Sequence, residues 1–191
     1  MENLPDFEIR PLGEISNAFL AKNIATFGDA VHFVAHLNYG RNANKEDLKT
    51  VFSDNCGTCS TKHALLKLLA DENGFGGIKL LLGIFKMNAK NTHRVAQTLL
   101  KNHLEYLPEA HNYLKANSTI FDFTKANSKA SDFADDLIME IEMQPNQISD
   151  YKVGFHKKYL QQWLDENPQI QFDLDGIWQI REQCIRDLSN N

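Results

Sequence analysis

Asn55-Cys56-Gly57-Thr58-Cys59-Ser60-Thr61-Lys62-His63 is the stretch on which the fold reading turns. Threonine caps helices because its hydroxyl accepts a backbone N–H of the first turn, so Thr58 is a candidate cap and Cys59 the first helical residue. Ala64, Leu65, Leu68, Leu69 and Glu72 follow at helical spacing, and Asn73-Gly74 supplies the stop. Leu65, Leu66, Leu68 and Leu69 are too apolar for a surface helix, so this one is expected to be central and buried. The first turn of a helix carries N–H groups with no intrahelical acceptor and the positive end of the dipole, and both favour a thiolate. Such a position lowers a cysteine pKa by about one to several units from ~8.5. Gly57 lets the chain approach tightly before Cys59, whose own N–H could help hold an oxyanion.

Toward the N-terminus, residues 16–37 place Leu20, Ile24, Phe27, Val31 and Val34 on one helical face, with Ser16 as N-cap. Gly28 is expected to kink or split that helix, and Gly40 in Tyr39-Gly40-Arg41-Asn42 to stop it. Residues 47–54 are polar and helix-like. Toward the C-terminus, 78–85 is a nearly continuous apolar run expected as a buried strand. Thr92 caps a third helix carrying Val95, Leu99 and Leu100, with Pro108 punctuating its exit. Residues 110–116 and 119–125 look like strands joined at Asn117-Ser118, and 138–143 alternates like another. Helices over 151–164 and 174–188 close the chain. Helices, then a strand, then hairpin strands, then helices suggest α+β with an antiparallel sheet.

The 191 residues suit a single domain, with a core near 54–125, an N-terminal helical part over 14–50 and C-terminal helices over 150–189. Hydrophobic residues at 42% and charged residues at 24% match a soluble globular chain. Lys plus Arg is 20 against 25 for Asp plus Glu, a net charge of -5, which argues against a nucleic-acid partner. No apolar run is long enough to span a bilayer, so no membrane partner is expected. The start carries Glu2, Asp6 and Glu8, with no basic region followed by an apolar run, so no signal peptide is expected. Three cysteines make no complete disulfide framework, and a cytoplasmic location is expected.

A nucleophilic cysteine needs a base, and the base an orienting partner. His32, His36, His63, His93, His103, His111 and His156 compete. If Asn117-Ser118 is an even-length loop, Tyr113 faces Asp122, and His111 becomes a diagonal neighbour of Asp122 on the same sheet face. A one-residue slip would separate them. The stretch from Gly57 to Ala64 with its leucine-rich helix, followed by His111-Asn112-Tyr113-Leu114 and Ile120-Phe121-Asp122-Phe123-Thr124, resembles the transglutaminase-like superfamily, whose members have a papain-like core. The order cysteine, histidine, aspartate also matches, and the resemblance covers about 54–125. It implies a thiol nucleophile at Cys59, a general base and acid at His111, an orienting carboxylate at Asp122, and acyl chemistry through a thioester. The chain departs from the pattern at Ser60 and at Asn112-Tyr113, where many members carry aromatic or small residues; this bears on the substrate class more than on the triad.

The expected function is therefore a cysteine hydrolase or acyltransferase acting on a small-molecule or peptide amide, without cofactor or metal. The alternatives are a catalytically inactive binding module of the same fold, or a thiol–disulfide redox protein using Cys56 and Cys59. The redox reading needs a thioredoxin-like strand before the motif, and a zinc site needs a second ligand pair; neither is visible. His63, on the Cys59 face of the helix, competes as base but lacks an evident orienting carboxylate. Asn55 and Asn112 are candidate oxyanion donors, and His63 a candidate pocket residue. Tyr39 and Arg41 are read as a helix-end tether, and Asp132, Asp135 and Asp136 as a solvated helix face. Phe155, Tyr159, Trp163, Trp178 and Ile185 are expected to pack the core or form a homodimer seam.

Overall fold

A computed structural model describes residues 4–189; Glu2, used in reading the N-terminus, lies outside them. The described residues form an α+β fold with seven α-helices and an antiparallel four-stranded sheet. In chain order the elements are α1 (Glu14–Leu20), α2 (Phe27–His36), β1 (Asn38–Tyr39), α3 (Thr50–Ser53), β2 (Cys56–Gly57), α4 (Cys59–Glu72), β3 (Lys79–Asn88), α5 (Ala96–Lys101), β4 (Tyr106–Ala116), β5 (Thr119–Phe121), β6 (Leu137–Met143), α6 (Asp150–Glu166) and α7 (Leu174–Ser189). The main sheet runs β5-β4-β3-β6, and β1 pairs with β2 in a small parallel sheet.

The chain gathers into two compact units. One comprises the chain through Leu82 with Asn112–Ala130 and Ile141–Ser149; the other comprises Gly83–His111, Ser131–Glu140 and the chain from Asp150 onward. In the first unit α4 is the hub, packed on by α1, α2 and α3. Ala64, Leu65, Leu66, Leu69 and Ala70 are wholly buried, as the leucine pattern requires, while Leu68 is only half-buried. Thr58 caps α4 as expected: its Oγ1 accepts from Thr61 N, and Thr61 Oγ1 accepts from Thr58 N at 3.0 Å. The lower end of α4 binds the N-terminal segment. The Glu72 carboxylate accepts from Ile15 N (3.0 Å), Ser16 N (2.6 Å) and Ser16 Oγ (2.6 Å), and thereby caps α1 from outside. Gly13 makes room for it, since a Cβ there would lie 2.1 Å from Glu72 Cδ.

The long N-terminal helix is in fact two. The break falls at residues 21–26, not at Gly28. Asn23 turns left-handed (φ 60°), and Thr26 starts α2 by accepting from Asp29 N. Gly28 sits inside the first turn of α2, where its N–H donates to Asp6. Ser16 is not a cap but a buried partner of Glu72. The helix after Thr92 opens with a 3₁₀ turn at His93–Val95, and the Thr92 side chain does not cap it. β4 starts at Tyr106, so Pro108 lies within a strand rather than ending a helix. β5 ends at Phe121, four residues short of the expected strand. The acidic patch is not a helix face: 3₁₀ turns occupy Ala130–Asp132 and Ala134–Asp136, and Asp136 accepts from the Asn88 and Asn91 amides.

The hairpin register pairs Leu114 with Phe121, Lys115 with Ile120 and Ala116 with Thr119. Asn117 (φ 46°) and Ser118 (φ 67°) form the two-residue loop, and left-handed backbone at both positions is the type I′ solution that matches strand twist. The ladder stops there, and Asp122 lies just past its last pair.

In the second unit α5 and α6 pack on α7. The buried Glu109 of β4 is gripped by Arg181 through two bonds, Nη2 to Oε1 at 2.6 Å and Nε to Oε2 at 2.9 Å. Arg181 also lies 5.2 Å from the Trp178 ring centre. His156 Nε2 meets the Pro108 carbonyl at 2.8 Å. Trp163 and Ile185 are buried here, which is the packing role read from their spacing.

Candidate active site

Cys59 is the first residue of α4 and is 9% exposed. Its Sγ lies 3.9 Å from Ser60 Oγ. Ser60 donates to Asn112 Oδ1 (2.9 Å), while Asn112 Nδ2 donates to Leu81 O (2.9 Å) and to Met143 Sδ (3.0 Å). Asn112 is wholly buried, and both of its N–H bonds are directed into the core, so its position is that of a packing amide rather than an oxyanion donor. Asn55 is exposed, in left-handed conformation (φ 50°), and lines a 620 Å³ cavity with Asn23, Asp29, His32 and His36.

His63 has no exposed surface. Nδ1 meets Cys59 O at 2.7 Å, one turn back along α4, and Nε2 accepts from Phe123 N at 2.8 Å. These partners select the neutral tautomer with its hydrogen on Nδ1. The Asp122 carboxylate stands 3.5 Å from Nε2, so the carboxylate missing from the sequence reading of His63 is Asp122. That contact is not an ion pair, because Nε2 is already accepting from Phe123. With both nitrogens engaged and the ring sealed, His63 braces the site instead of serving as base.

Asp122 is 8% exposed. Its Oδ1 accepts from Thr124 N (2.9 Å) and Thr124 Oγ1 (2.6 Å), a tight turn that ends β5 and bends the chain onto α4. Two consecutive residues of α4 hold the bend: His63 takes Phe123 N, and Lys62 Nζ donates to Thr124 O at 2.7 Å. Lys62 is wholly buried and also donates to Leu37 O at 2.6 Å. Burial lowers its pKa to about 8, helped by Lys125; Cys56, Asp122 and Cys59 oppose the shift. The sequence reading missed Lys62. The available signal was a lysine inside a helix that the leucines mark as buried.

His111 belongs to the second unit, where its ring packs 4.8 Å from Phe133 and 6.1 Å from Phe85. Cys59, His63, Asp122 and Asn112 belong to the first, as does Asn55. Cys56 lies in β2, with Sγ 3.8 Å from Arg41 O, and the pairing of Asn38 with Cys56 makes Tyr39 a strand residue instead of a helix end. Burial and Asp54 push the Cys56 thiol upward, the opposite of what an attacking sulfur in a redox pair needs. Cys184 is sealed and is pushed up to about 12 by burial and by Glu109. None of the three cysteines is in a disulfide. Among the described residues no group of histidine, cysteine or acidic side chains is arranged to hold a metal ion, and no helix is long and apolar enough to cross a membrane.

Comparison with protein-family models, with curated proteins and with solved structures finds no significant match.

Proposed function

We propose that the chain is a thiol-dependent acyl-transfer enzyme with a transglutaminase-like, papain-like core. The observation that carries the reading is the placement of Cys59 at the first position of a capped, buried 14-residue helix. A thiolate there receives the dipole and the first-turn N–H groups. The anchored Asp122 carboxylate supports its own part; the role of His111 and its pairing with Asp122 come from the sequence reading and the resemblance. In the proposed reaction His111 takes the Cys59 proton as sulfur adds to an amide carbonyl carbon. The tetrahedral oxyanion collapses, the C–N bond breaks, and His111 returns the proton to the leaving amine. Water then adds to the thioester carbonyl, the C–S bond breaks, and the acid product leaves with the thiol restored. Asp122 keeps the imidazole in its useful tautomer. Hydrolysis is preferred to transfer because no acceptor site for an amine is evident in the sequence.

The near-complete coverage of Cys59 favours one rival, an inactive binding module of the same fold. Iodoacetamide labelling with peptide mapping separates the two. A nucleophilic Cys59 alkylates with a midpoint well below pH 8, and His111→Ala abolishes that advantage. Cys184 serves as the internal slow standard. Slow labelling of Cys59 at an ordinary thiol midpoint, unaffected by His111→Ala, overturns the proposal.

A further inference from the structure

Lys62 has no place in the reaction just described, yet two features of the fold are arranged around it. Its stem runs across Gly57: a Cβ there would lie 2.9 Å from Lys62 Cγ and 3.0 Å from Thr61 Oγ1. A residue one position before the cap of α4 must therefore remain glycine for the lysine to pass. Its ammonium ends between two backbone carbonyls, Leu37 O at 2.6 Å and Thr124 O at 2.7 Å, in a position with no solvent exposure.

Stability does not account for this choice. A buried ammonium sheds its hydration, and a cation in the first turn of a helix opposes the dipole. The bonds to the two carbonyls offset this cost, but a carbonyl asks only for a donor and does not by itself call for a charge. What a methionine could not supply is a charge at this spot and a grip on the Thr124 carbonyl. Cys59 and Lys62 are three residues apart on one face of α4. Thr124 and Phe123 are bound to α4 directly, by Lys62 and His63, and Asp122 is tied to them through its bond from Thr124.

We infer that Lys62 is a positioning residue: clamped between Leu37 and Thr124, it fixes the Asp122–Thr124 segment against α4 and holds a positive charge one helical turn from the Cys59 thiol. This rests on the thiol reading above and deepens it. The groups acting on its charge are Asp122, Cys56 and Cys59, which favour the ammonium, and Lys125, which opposes it. Because the lysine's pKa is lowered to about 8, its charge is present at neutral pH and is lost as the pH rises through that value.

The test compares the pH–rate profile of Cys59 alkylation by iodoacetamide in the native chain and in Lys62→Met. Removal of the charge should raise the thiol midpoint by about one pH unit, so that alkylation at pH 6 slows roughly tenfold. A role in folding alone would lower stability and leave the midpoint in place. A second measurement leaves Lys62 intact. The Lys62 ammonium is titrated by NMR of its labelled side chain in the native protein and in Cys59→Ser, where loss of the thiolate should lower the lysine midpoint by a similar amount, because coupling between two sites is reciprocal. If native Cys59 shows an ordinary midpoint near 8.5, the enzyme reading falls and this one with it. If the native midpoint is low but Lys62→Met leaves it unchanged, or Cys59→Ser leaves the lysine midpoint unchanged, only the role of Lys62 is overturned.

Discussion

The Glu109–Arg181 pair offers the sharpest energetic test of the second unit. Both side chains are nearly sealed, at 8% and 13% exposed, and the guanidinium grips the carboxylate through two bonds. Burial alone would raise the Glu109 pKa; Arg181 first, then His156 and Lys152, bring it from 4.5 down to about 2. A depression of that size is worth on the order of 3 kcal/mol at ~1.36 kcal/mol per pH unit. Since the folded value is depressed, this stability is fully present above about pH 4.5 and is lost as the pH falls toward about 2. Arg181→Met removes the partner and leaves a buried carboxylate with less compensation. The expected loss is ~3–5 kcal/mol at pH 7. The acid limb should also change sign: with Glu109 now titrating above its ordinary range, the variant is relieved as the pH falls toward about 4.5, whereas the native pair loses nothing until the pH drops below that value. Urea unfolding followed by tryptophan fluorescence across pH reads this directly, because both tryptophans, Trp163 and Trp178, lie in α6 and α7 of the same unit. Glu109→Gln combined with Arg181→Met should recover part of the loss. A single variant that loses under ~1 kcal/mol at pH 7 and keeps the native acid limb would refute the reasoning.

Two further outcomes follow from local geometry. Gly13→Ala drives a methyl group into the Glu72 carboxylate and should cost about 1–3 kcal/mol in urea unfolding, through a displaced cap and overpacking; an unchanged midpoint would show that Glu72 does not hold α1. Ser118→Gly relieves a left-handed residue (φ 67°) in the hairpin loop and should raise stability by about 1 kcal/mol; a loss would mean that the serine side chain is itself structural.

Local signals were legible in this sequence where the chemistry was local. Thr58, the leucines and Asn73-Gly74 state the start, burial and end of α4 within seventeen residues. Asn117-Ser118 is too short a link for anything but a tight turn, so the register of β4 and β5 could be worked out. The reading failed where a distant partner decides. Periodicity stepped smoothly from Leu20 to Phe27, although Asn23 and Thr26 break the helix between them; the pair Thr26 and Asp29 was the signal for a fresh start. Ser16 looks like a cap until Glu72 arrives from the far end of α4. His63 looked unsupported because Asp122 reaches it only after the chain bends at Thr124. Asn112 looked available as a donor because Leu81 and Met143, which consume its amide, are 31 residues away on either side.

The cap on α1 has a consequence for the order of assembly. A seven-residue helix is too short to persist in water by itself, since nucleation is costly and few turns reward it. Its first amides are satisfied by Glu72, the final residue of α4, and the adjoining Asn73 takes the Arg10 amide and donates to Ser16. α1 thus waits on a carboxylate synthesised about sixty residues later. During synthesis α1 cannot take its native cap until α4 is finished, and the helix that presents Cys59 is also the template on which α1 comes to rest.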